Sequence, residues 1–138
     1  MKKILITGHK GFIGSYLWNE MKNTPGMHDW QLDGIDFPDD IGDFKTDEIY
    51  DVVIHLAAFA NLRGSFLNPD VFWENNVVKS QPIFDYCKEN NIRLLYASSA
   101  GAHGWWQNPY AITKKVNEIQ APPNSVGMRF FNVWAEQG

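Results

Sequence analysis

Apolar residues in this chain form short runs that alternate with stretches of helical periodicity. Residues 4–6 are a continuous apolar run, Ile-Leu-Ile. After it, apolar or aromatic side chains recur at intervals of three and four residues, at Ile13, Tyr16, Leu17 and Met21. A short apolar run predicts a buried strand, and the longer spacing predicts an amphipathic helix. The chain therefore opens with a predicted strand, a turn and a helix that begins near Phe12.

The same alternation continues along the chain. Further strands are predicted at residues 30–35, 51–58, 92–97 and 126–131, and further helices from Pro69 and over 109–119. Alternating strands and helices predict a parallel sheet covered by helices. We therefore expect an α/β fold, a doubly wound parallel sheet of five or six strands with helices on both faces. At 138 residues, one domain over 1–138 is expected.

Two stretches interrupt this pattern. Residues 37–50 are rich in Asp and too short for full crossover elements, so a tight connection is expected. A rudimentary edge strand and a helical turn near residues 46–50 are the most that would fit in it. Pro82 stands inside the helix predicted from Pro69, where a proline costs about 3 kcal/mol in a regular interior. A kink or break is therefore expected there.

The turn after the first strand has the features of an anion site. Gly8, Gly11 and Gly14 stand at intervals of three residues. Glycines at such positions let the backbone turn tightly and approach a pyrophosphate, and the N–H groups that open the helix attract an anion. Asp36 follows the second strand, where a dinucleotide fold places the acid that binds the ribose hydroxyls. A carboxylate there favours NAD, because it would repel the 2′-phosphate of NADP.

Composition narrows the function classes. The net charge is −4 and no basic run occurs, which disfavours binding to nucleic acid or to an anionic membrane. Cys87 is the only cysteine, so an internal disulfide and a cysteine metal cluster are excluded, and its helical context predicts a buried core thiol. The sequence opens with Met-Lys-Lys and then a strand pattern, without a signal peptide or a run of membrane-spanning length. A cytoplasmic protein without a metal site is expected.

Three residues in the second half could carry chemistry. Tyr110 and Lys114 are four residues apart on a predicted helix, so phenol and ammonium can face one ligand. A phenol has a pKa near 10 and is a poor base at neutral pH, but a nearby ammonium stabilises the phenolate. Ser99 follows a predicted strand, where its hydroxyl could bind a substrate oxygen, with Ser98 as the alternative. His55, at the end of another strand, is expected to be a hydrogen-bonded core histidine.

Several motifs resemble the extended short-chain dehydrogenase/reductases, the nucleotide-sugar epimerases and dehydratases. Residues 7–14 read Thr-Gly-x-x-Gly-Phe-Ile-Gly, and residues 55–58 read His-Leu-Ala-Ala. The order Ser99, Tyr110, Lys114 is similar to the catalytic triad of that superfamily, although His103 stands where the family usually has Tyr. The resemblance implies a Rossmann-like fold, NAD as cofactor and a nucleotide sugar as substrate.

The resemblance also implies roles for further residues. Cofactor contacts are implied for Gly8, Lys10, Gly11, Phe12, Ile13, Gly14, Asp36, Leu56, Ala57, Ala58, Asn76, Tyr110, Lys114 and Phe130, and substrate contacts for Ser99 and Asn132. The family carries an acidic–apolar pair beside the adenine. Both Asp40–Ile41 and Asp43–Phe44 fit that pair, and the sequence leaves the choice open.

The implied reaction is an oxidation at a sugar carbon followed by return of the hydride, which gives an epimer. The resemblance makes 4,6-dehydration less favoured, because Ala100 and Gly101 stand where dehydratases have Asp-Glu. A ketoreductase remains an alternative, since the short 37–50 region resembles that of dTDP-4-dehydrorhamnose reductases. A catalytically silent NAD-binding module is another, because extended members continue past Asn132 into a substrate domain that would be absent or vestigial here. A homodimer, paired through helices near 69–89 and 109–119, is also implied.

Overall fold

Five parallel strands form one sheet in the computed structural model, which describes residues 1–27 and 29–134. They are β1 (Lys3–Thr7), β2 (Gln31–Ile35), β3 (Val52–His55), β4 (Arg93–Ser99) and β5 (Ser125–Phe130). The strand order is β2-β1-β3-β4-β5, and each pair is parallel. The direction of the order reverses between β1 and β3, so a ligand crevice is expected at their carboxyl ends. The doubly wound parallel sheet is confirmed.

The helices follow the strands in alternation. They are α1 (Phe12–Asn23), α2 (Leu62–Leu67), α3 (Pro69–Trp73), α4 (Gln81–Glu89) and α5 (Pro109–Gln120). Two 3₁₀ segments, Ile41–Asp43 and Ala100–Gln107, and a π-helical turn at Glu74–Val78 complete the described elements. Across the described ranges, every helix is too short or too polar to cross a bilayer.

Both faces of the sheet are covered, because successive residues of a strand point to opposite sides. On one face, Leu5 packs in a cluster with Ile83 and Phe84 of α4. On the other face, Ile4 and Ile6 pack with Met21 of α1. The alternation within β1 thus builds two cores, one under each layer of helices, and fixes the sheet between them.

Cys87 belongs to the first of these cores. Its side chain is 1% exposed, and burial raises the pKa of the thiol to about 12. A thiol in this state is a poor nucleophile. The expected buried core thiol is confirmed.

The connection over residues 37–50 differs from expectation. Neither the edge strand nor the helical turn near residues 46–50 forms, since the described structure has only the 3₁₀ turn Ile41–Asp43 there. The hydroxyl of Thr46 accepts from the Glu48 N–H at 3.0 Å, a local bond that competes with helix formation. The stretch is instead anchored by Tyr50, whose hydroxyl donates to Asp33 at 2.6 Å.

The break expected at Pro82 is confirmed. A new helix, α4, begins at Gln81, with Pro82 in its first turn, where the missing N–H is not needed. The preceding π-helical turn has a wider hydrogen bond, from Lys79 N–H to Glu74 O at 2.9 Å. The turn therefore changes which residues face the sheet before α4 begins.

The fold predicts a strict requirement for glycine at position 14. A Cβ built there would overlap the Gly8 carbonyl oxygen, which is backbone and cannot rotate away. Gly14→Ala should lower the free energy of unfolding by about 3 kcal/mol, the upper end of typical overpacking costs. Chemical denaturation measures this loss. Gly11→Ala is the control, because its Cβ would lie 3.4 Å from the same oxygen and should be tolerated. Equal stability of the two variants would contradict the prediction.

Candidate functional site

A cavity of about 360 Å³ opens at the carboxyl ends of β1 and β3. This is the place where the strand order reverses, and the size suits a small ligand or part of a larger one. Its lining comes from the turn after β1, the loop after β2, the loop after β3 and the π-helical turn. The lining residues are Gly8, Gly11, Asp36, Phe37, Pro38, Asp39, Asp40, Ile41, Leu56, Ala57, Ala58, Phe59, Asn75 and Lys79.

The glycine turn has the geometry of an anion cradle. Gly8 has φ +74°, and a Cβ there would lie 2.8 Å from the backbone nitrogen of Ala57. Gly11 caps α1 without any side-chain hydrogen bond. The N–H groups of the first turn of α1 therefore have no capping side chain, and such groups bind phosphate oxygens. These features fit a pyrophosphate.

Asp36 is held at the cavity by backbone hydrogen bonds. Its Oδ2 accepts from the Lys10 N–H at 2.8 Å, and its Oδ1 accepts from the Phe37 N–H at 2.7 Å. The Lys10 ammonium donates to the Phe37 carbonyl at 3.2 Å. Each carboxylate oxygen keeps a further acceptor position. The carboxylate is thus fixed and able to accept from ribose hydroxyls.

The structure separates the two candidate acidic–apolar pairs. Asp40 and Ile41 line the cavity, whereas Asp43 and Phe44 line a separate cleft beside β2. The Phe44 ring packs edge-to-face on Tyr86, with ring centroids 5.1 Å apart. Phe44 therefore serves the core, and only Asp40 and Ile41 are in position to meet a ligand in the cavity.

Lys79 also lines the cavity and was missed by sequence reasoning. Its Nζ lies 2.8 Å from Asp40 Oδ2. The lysine is the main reason that the pKa of Asp40 is lowered, and the Gly42 N–H, which donates to Oδ1, adds to it. A lysine in a helical pattern is usually a solvated side chain, and the signal in the sequence was too weak to single it out.

Asn76 does not line the cavity. Its side chain is 1% exposed, and its Oδ1 accepts from the Phe59 N–H at 2.8 Å. Its Nδ2 donates to the Phe59 carbonyl at 2.9 Å and to the Thr113 hydroxyl at 3.1 Å. The neighbouring Asn75 faces the cavity instead. Asn76 thus clamps the loop after β3 onto α5.

Several other predicted cofactor residues lie away from the cavity. Phe12 and Ile13 line an apolar groove together with Val133 and Trp134. Gly14 is buried against Gly8, where it allows α1 to approach β1. The cavity residues that sequence reasoning missed are Phe37, Pro38, Asp39, Phe59, Asn75 and Lys79. They come from loop and π-turn positions without a periodic pattern.

The predicted catalytic residues meet at the end of β4. Ser99 ends β4 and accepts from the Gly101 N–H at 3.1 Å. Lys114 Nζ donates to the Ala97 carbonyl at 3.0 Å and lies 5.8 Å from the centroid of the Tyr110 ring. Phe130 pairs with Ser99 across the sheet, and Asn132 lies exposed beyond β5. Ser99, Tyr110, Lys114 and Phe130 are therefore brought together next to the strand that borders the cavity.

Ser98, the alternative to Ser99, makes a separate buried contact with α5. It is 3% exposed, and its hydroxyl donates to Glu118 at 2.6 Å. Glu118 is held in turn by Arg129 through two bonds of 2.8 and 2.7 Å. The Ser98 hydroxyl is therefore engaged by a carboxylate of α5, and Ser99, whose hydroxyl lies close enough to Tyr110 to act on the pKa of the phenol, is the serine available beside Tyr110.

Burial sets the electrostatics of this group. Lys114 is 3% exposed, and desolvation lowers the pKa of its ammonium to about 8. Desolvation raises the pKa of Tyr110, and the neighbouring Ser99 hydroxyl acts in the opposite direction. Tyr110 is therefore a neutral phenol at pH 7 in this structure, beside a lysine that is still largely charged.

Comparison with known proteins gives consistent matches. Residues 4–126 match the model of the NAD dependent epimerase/dehydratase family. The chain is 29% identical over 185 residues to Protein CapI of Staphylococcus aureus, covering 99% of this chain and 55% of that protein. It is 28% identical over 159 residues to ADP-L-glycero-D-manno-heptose-6-epimerase of Fusobacterium nucleatum, covering 96% and 47%.

A solved structure, MoeE5 in complex with UDP-glucose and NAD, superposes with a TM-score of 0.80 at 24% identity and covers 96% of this chain and 55% of that one. This likeness concerns the fold. The chain spans about half the length of the curated relatives it matches, at 58%, 55% and 47% of theirs.

The buried lysine predicts a pH-dependent stability. Folding lowers the pKa of Lys114 from 10.5 to about 8. Between these values the unfolded chain keeps the proton and the folded chain loses it, so the free energy of unfolding rises with pH. Relative to Lys114→Met, the wild type should gain up to about 3 kcal/mol over this window. Denaturant titrations at several pH values measure the difference.

Lys88→Met provides the matched control, because Lys88 is exposed in α4. Its stability difference from the wild type should not change with pH. A Lys114→Met difference that is equally flat would show that Lys114 is solvated in the folded protein.

Proposed function

The chain belongs to the NAD-dependent epimerase/dehydratase family, and from this premise we propose that it oxidises and reduces a nucleotide sugar, with Ser99, Tyr110 and Lys114 at the reacting centre. The observation that carries the proposal is the meeting of these three side chains at the end of β4, next to a cavity with a glycine cradle. Neither feature alone would suffice, because a Tyr and a Lys one helical turn apart occur in many helices.

The residues around the cavity fit NAD. The turn at Gly8 and Gly11 and the opening of α1 would hold the pyrophosphate. Asp36 would accept from the adenosine ribose, and Asp40 and Ile41 would border the adenine, with residues 56–58 beneath the cofactor. When bound, NAD supplies the acceptor for a hydride. The carboxylate of Asp36 supports NAD over NADP, since a phosphate at the ribose edge would be repelled.

Residues of this chain would then bind the substrate hydroxyl oxygen and remove its proton. Ser99 would hold the substrate hydroxyl by a hydrogen bond, and Tyr110 would take its proton as a general base. Lys114, charged and desolvated 5.8 Å from the phenol ring centroid, would stabilise the phenolate that this needs. Water-poor surroundings strengthen this attraction, because charges interact more strongly at low dielectric.

Epimerisation is the proposed outcome. Elimination of water needs an additional acid and base, and the residues after Ser99 are Ala100 and Gly101, whose side chains cannot transfer protons. Chromatographic analysis of the product of each nucleotide sugar distinguishes the outcomes. An unsaturated or deoxy product would contradict epimerisation.

Replacement of the phenol tests the enzymatic role. Tyr110→Phe removes one oxygen and keeps the ring, so folding and NAD affinity should barely change. Turnover of the nucleotide sugar should fall about 10²–10⁴-fold, the usual contribution of a general base. Steady-state kinetics of purified protein measure this, with Tyr16→Phe, an exposed phenol on α1, as the control. A wild type that binds NAD but turns over no nucleotide sugar would favour a silent binding module.

Replacement of the ribose carboxylate tests the cofactor. Asp36→Ala should weaken NAD roughly 10- to 100-fold, the value of charged hydrogen bonds, and should narrow the gap between NAD and NADP. Isothermal titration with both cofactors measures this. Asp47→Ala, an exposed carboxylate outside the cavity lining, should leave both affinities unchanged. Tighter binding of NADP by the wild type would contradict the assignment.

A further inference from the structure

A buried chain of hydrogen bonds runs beneath the glycine turn, and its central residue takes no part in the proposed reaction. His55 ends β3 and is 6% exposed. Its Nδ1 lies 2.6 Å from Thr7 Oγ1, and its Nε2 lies 2.8 Å from Ser80 Oγ. The expectation of a hydrogen-bonded core histidine is confirmed, and the geometry says more than that.

The Thr7 hydroxyl determines which ring nitrogen carries the proton. Thr7 Oγ1 accepts from the backbone N–H groups of Leu56 and Ala57, each at 3.1 Å, and the Leu56 N–H is shared with the Thr7 carbonyl at 3.1 Å. A hydroxyl offers two acceptor positions and one donor. Both acceptor positions are filled, so the hydrogen of Thr7 must go to His55 Nδ1. The proton of the neutral ring is therefore on Nε2, which donates to Ser80.

The hydrogen bonds at the Ser80 end of this network run in a compatible direction. Ser80 Oγ donates to the Asn76 carbonyl at 2.8 Å and is free to accept from His55. The same carbonyl accepts from Asn117 Nδ2 at 2.9 Å. Burial lowers the pKa of His55 to about 3, and the charge of Lys114 acts in the same direction. A charged ring would also place a second N–H against the filled oxygen of Thr7.

We propose that His55 is a positioning residue for the cofactor. His55 acts as a neutral imidazole that is locked in the Nε2–H tautomer. The lock turns the Thr7 hydrogen toward Nδ1 and keeps its lone pairs on the N–H groups of Leu56 and Ala57. These residues form part of the cavity wall, and the Ala57 nitrogen would lie only 2.8 Å from a Cβ on Gly8. The turn after β3 is thus held against the glycine turn. The cofactor role rests on the proposed function, whereas the tautomer does not.

The opposite tautomer would cost hydrogen bonds at both ends. An Nδ1–H would bring a third hydrogen to Thr7 Oγ1 and leave the threonine's own hydrogen without an acceptor. Nε2 would then need a hydrogen from Ser80, which could supply it only by releasing the Asn76 carbonyl. Buried groups without partners are costly, so Thr7 at Nδ1 and Ser80 at Nε2 together keep the tautomer fixed.

Ser80→Ala removes that acceptor and little volume. Long-range ¹H–¹⁵N spectra of the imidazole report the tautomer, and isothermal titration reports NAD affinity. The wild type should show Nε2–H at neutral pH. Ser80→Ala should show a mixture of tautomers and bind NAD about three- to tenfold more weakly. Ser65→Ala is the matched control, because Ser65 is 0% exposed and donates to the Leu62 carbonyl in α2. It should change neither quantity.

A double variant separates positioning from general structural support. If His55 acts through Thr7, Ser80→Ala weakens NAD binding only while the Thr7 hydroxyl is present. Thr7→Val combined with Ser80→Ala should then bind NAD as Thr7→Val does alone. Additive losses would overturn the proposal, as would a charged or Nδ1–H ring in the wild type, or unchanged NAD affinity in Ser80→Ala. Circular dichroism checks folding, and the tautomer of Ser80→Ala can be read even if Thr7→Val does not fold.

The same measurements distinguish a failure of the His55 proposal from a failure of the proposed function. A wild type with the Nε2–H ring that binds no dinucleotide would contradict the proposed function and, with it, the cofactor role of His55.

Discussion

Polar side chains buried at the carboxyl ends of the strands must find partners inside the protein, and the site depends on this constraint. Asn76 shows it most clearly, since at 1% exposure its amide bonds both to the backbone of Phe59 and to Thr113. Thr113 in turn donates to the Tyr110 carbonyl at 2.7 Å. These bonds join the loop after β3, the π-helical turn and α5. Helix α5 is therefore fixed relative to the sheet by buried polar contacts rather than by apolar packing alone.

The π-helical turn at Glu74–Val78 and the residues that follow it carry this arrangement. Asn76 and Ser80 are four residues apart and both point inward, while Asn75 and Lys79, also four apart, line the cavity. The wider hydrogen bond of this turn, from Lys79 to Glu74, rotates the following residues relative to a regular helix. One short segment thus supplies both the buried clamp and part of the cavity wall.

The two parts of the site differ in their electrostatics. The cavity presents the carboxylates of the half-buried Asp36 and the exposed Asp40, with backbone N–H groups and Lys79 as counterparts. The group at the end of β4 holds a single desolvated cation, Lys114, whose pKa falls to about 8 because burial disfavours its charge. A ligand that reaches from the cavity to the end of β4 would meet fixed backbone dipoles in the cavity and the charge of Lys114 at the end of β4.

The sequence by itself determined those parts of the protein whose structure depends on neighbouring residues. The strand, glycine turn and helix over residues 3–23 follow from local periodicity and from glycine's freedom to turn, and the break at Pro82 follows from its missing N–H. Asp36 could be placed because it directly follows a predicted strand. The burial of Cys87 followed from the helical pattern around it.

The tertiary structure decided every question that depends on residues far apart in the chain. The sequence offered both Ser98 and Ser99, and only the fold shows that Glu118 engages the Ser98 hydroxyl and leaves Ser99 beside Tyr110. In the sequence, Asp40 and Asp43 were equally good candidates for the acidic residue beside the adenine. In the structure, Phe44 packs against Tyr86 in the core, which leaves the pair of Asp40 and Ile41 at the cavity. Residues 46–50 do not form a helical turn, and Tyr50 at their end is anchored to Asp33, which lies 17 positions away in the chain. The tautomer of His55 was likewise beyond the sequence, because its partners Thr7 and Ser80 lie 48 and 25 residues away and meet only in the folded core.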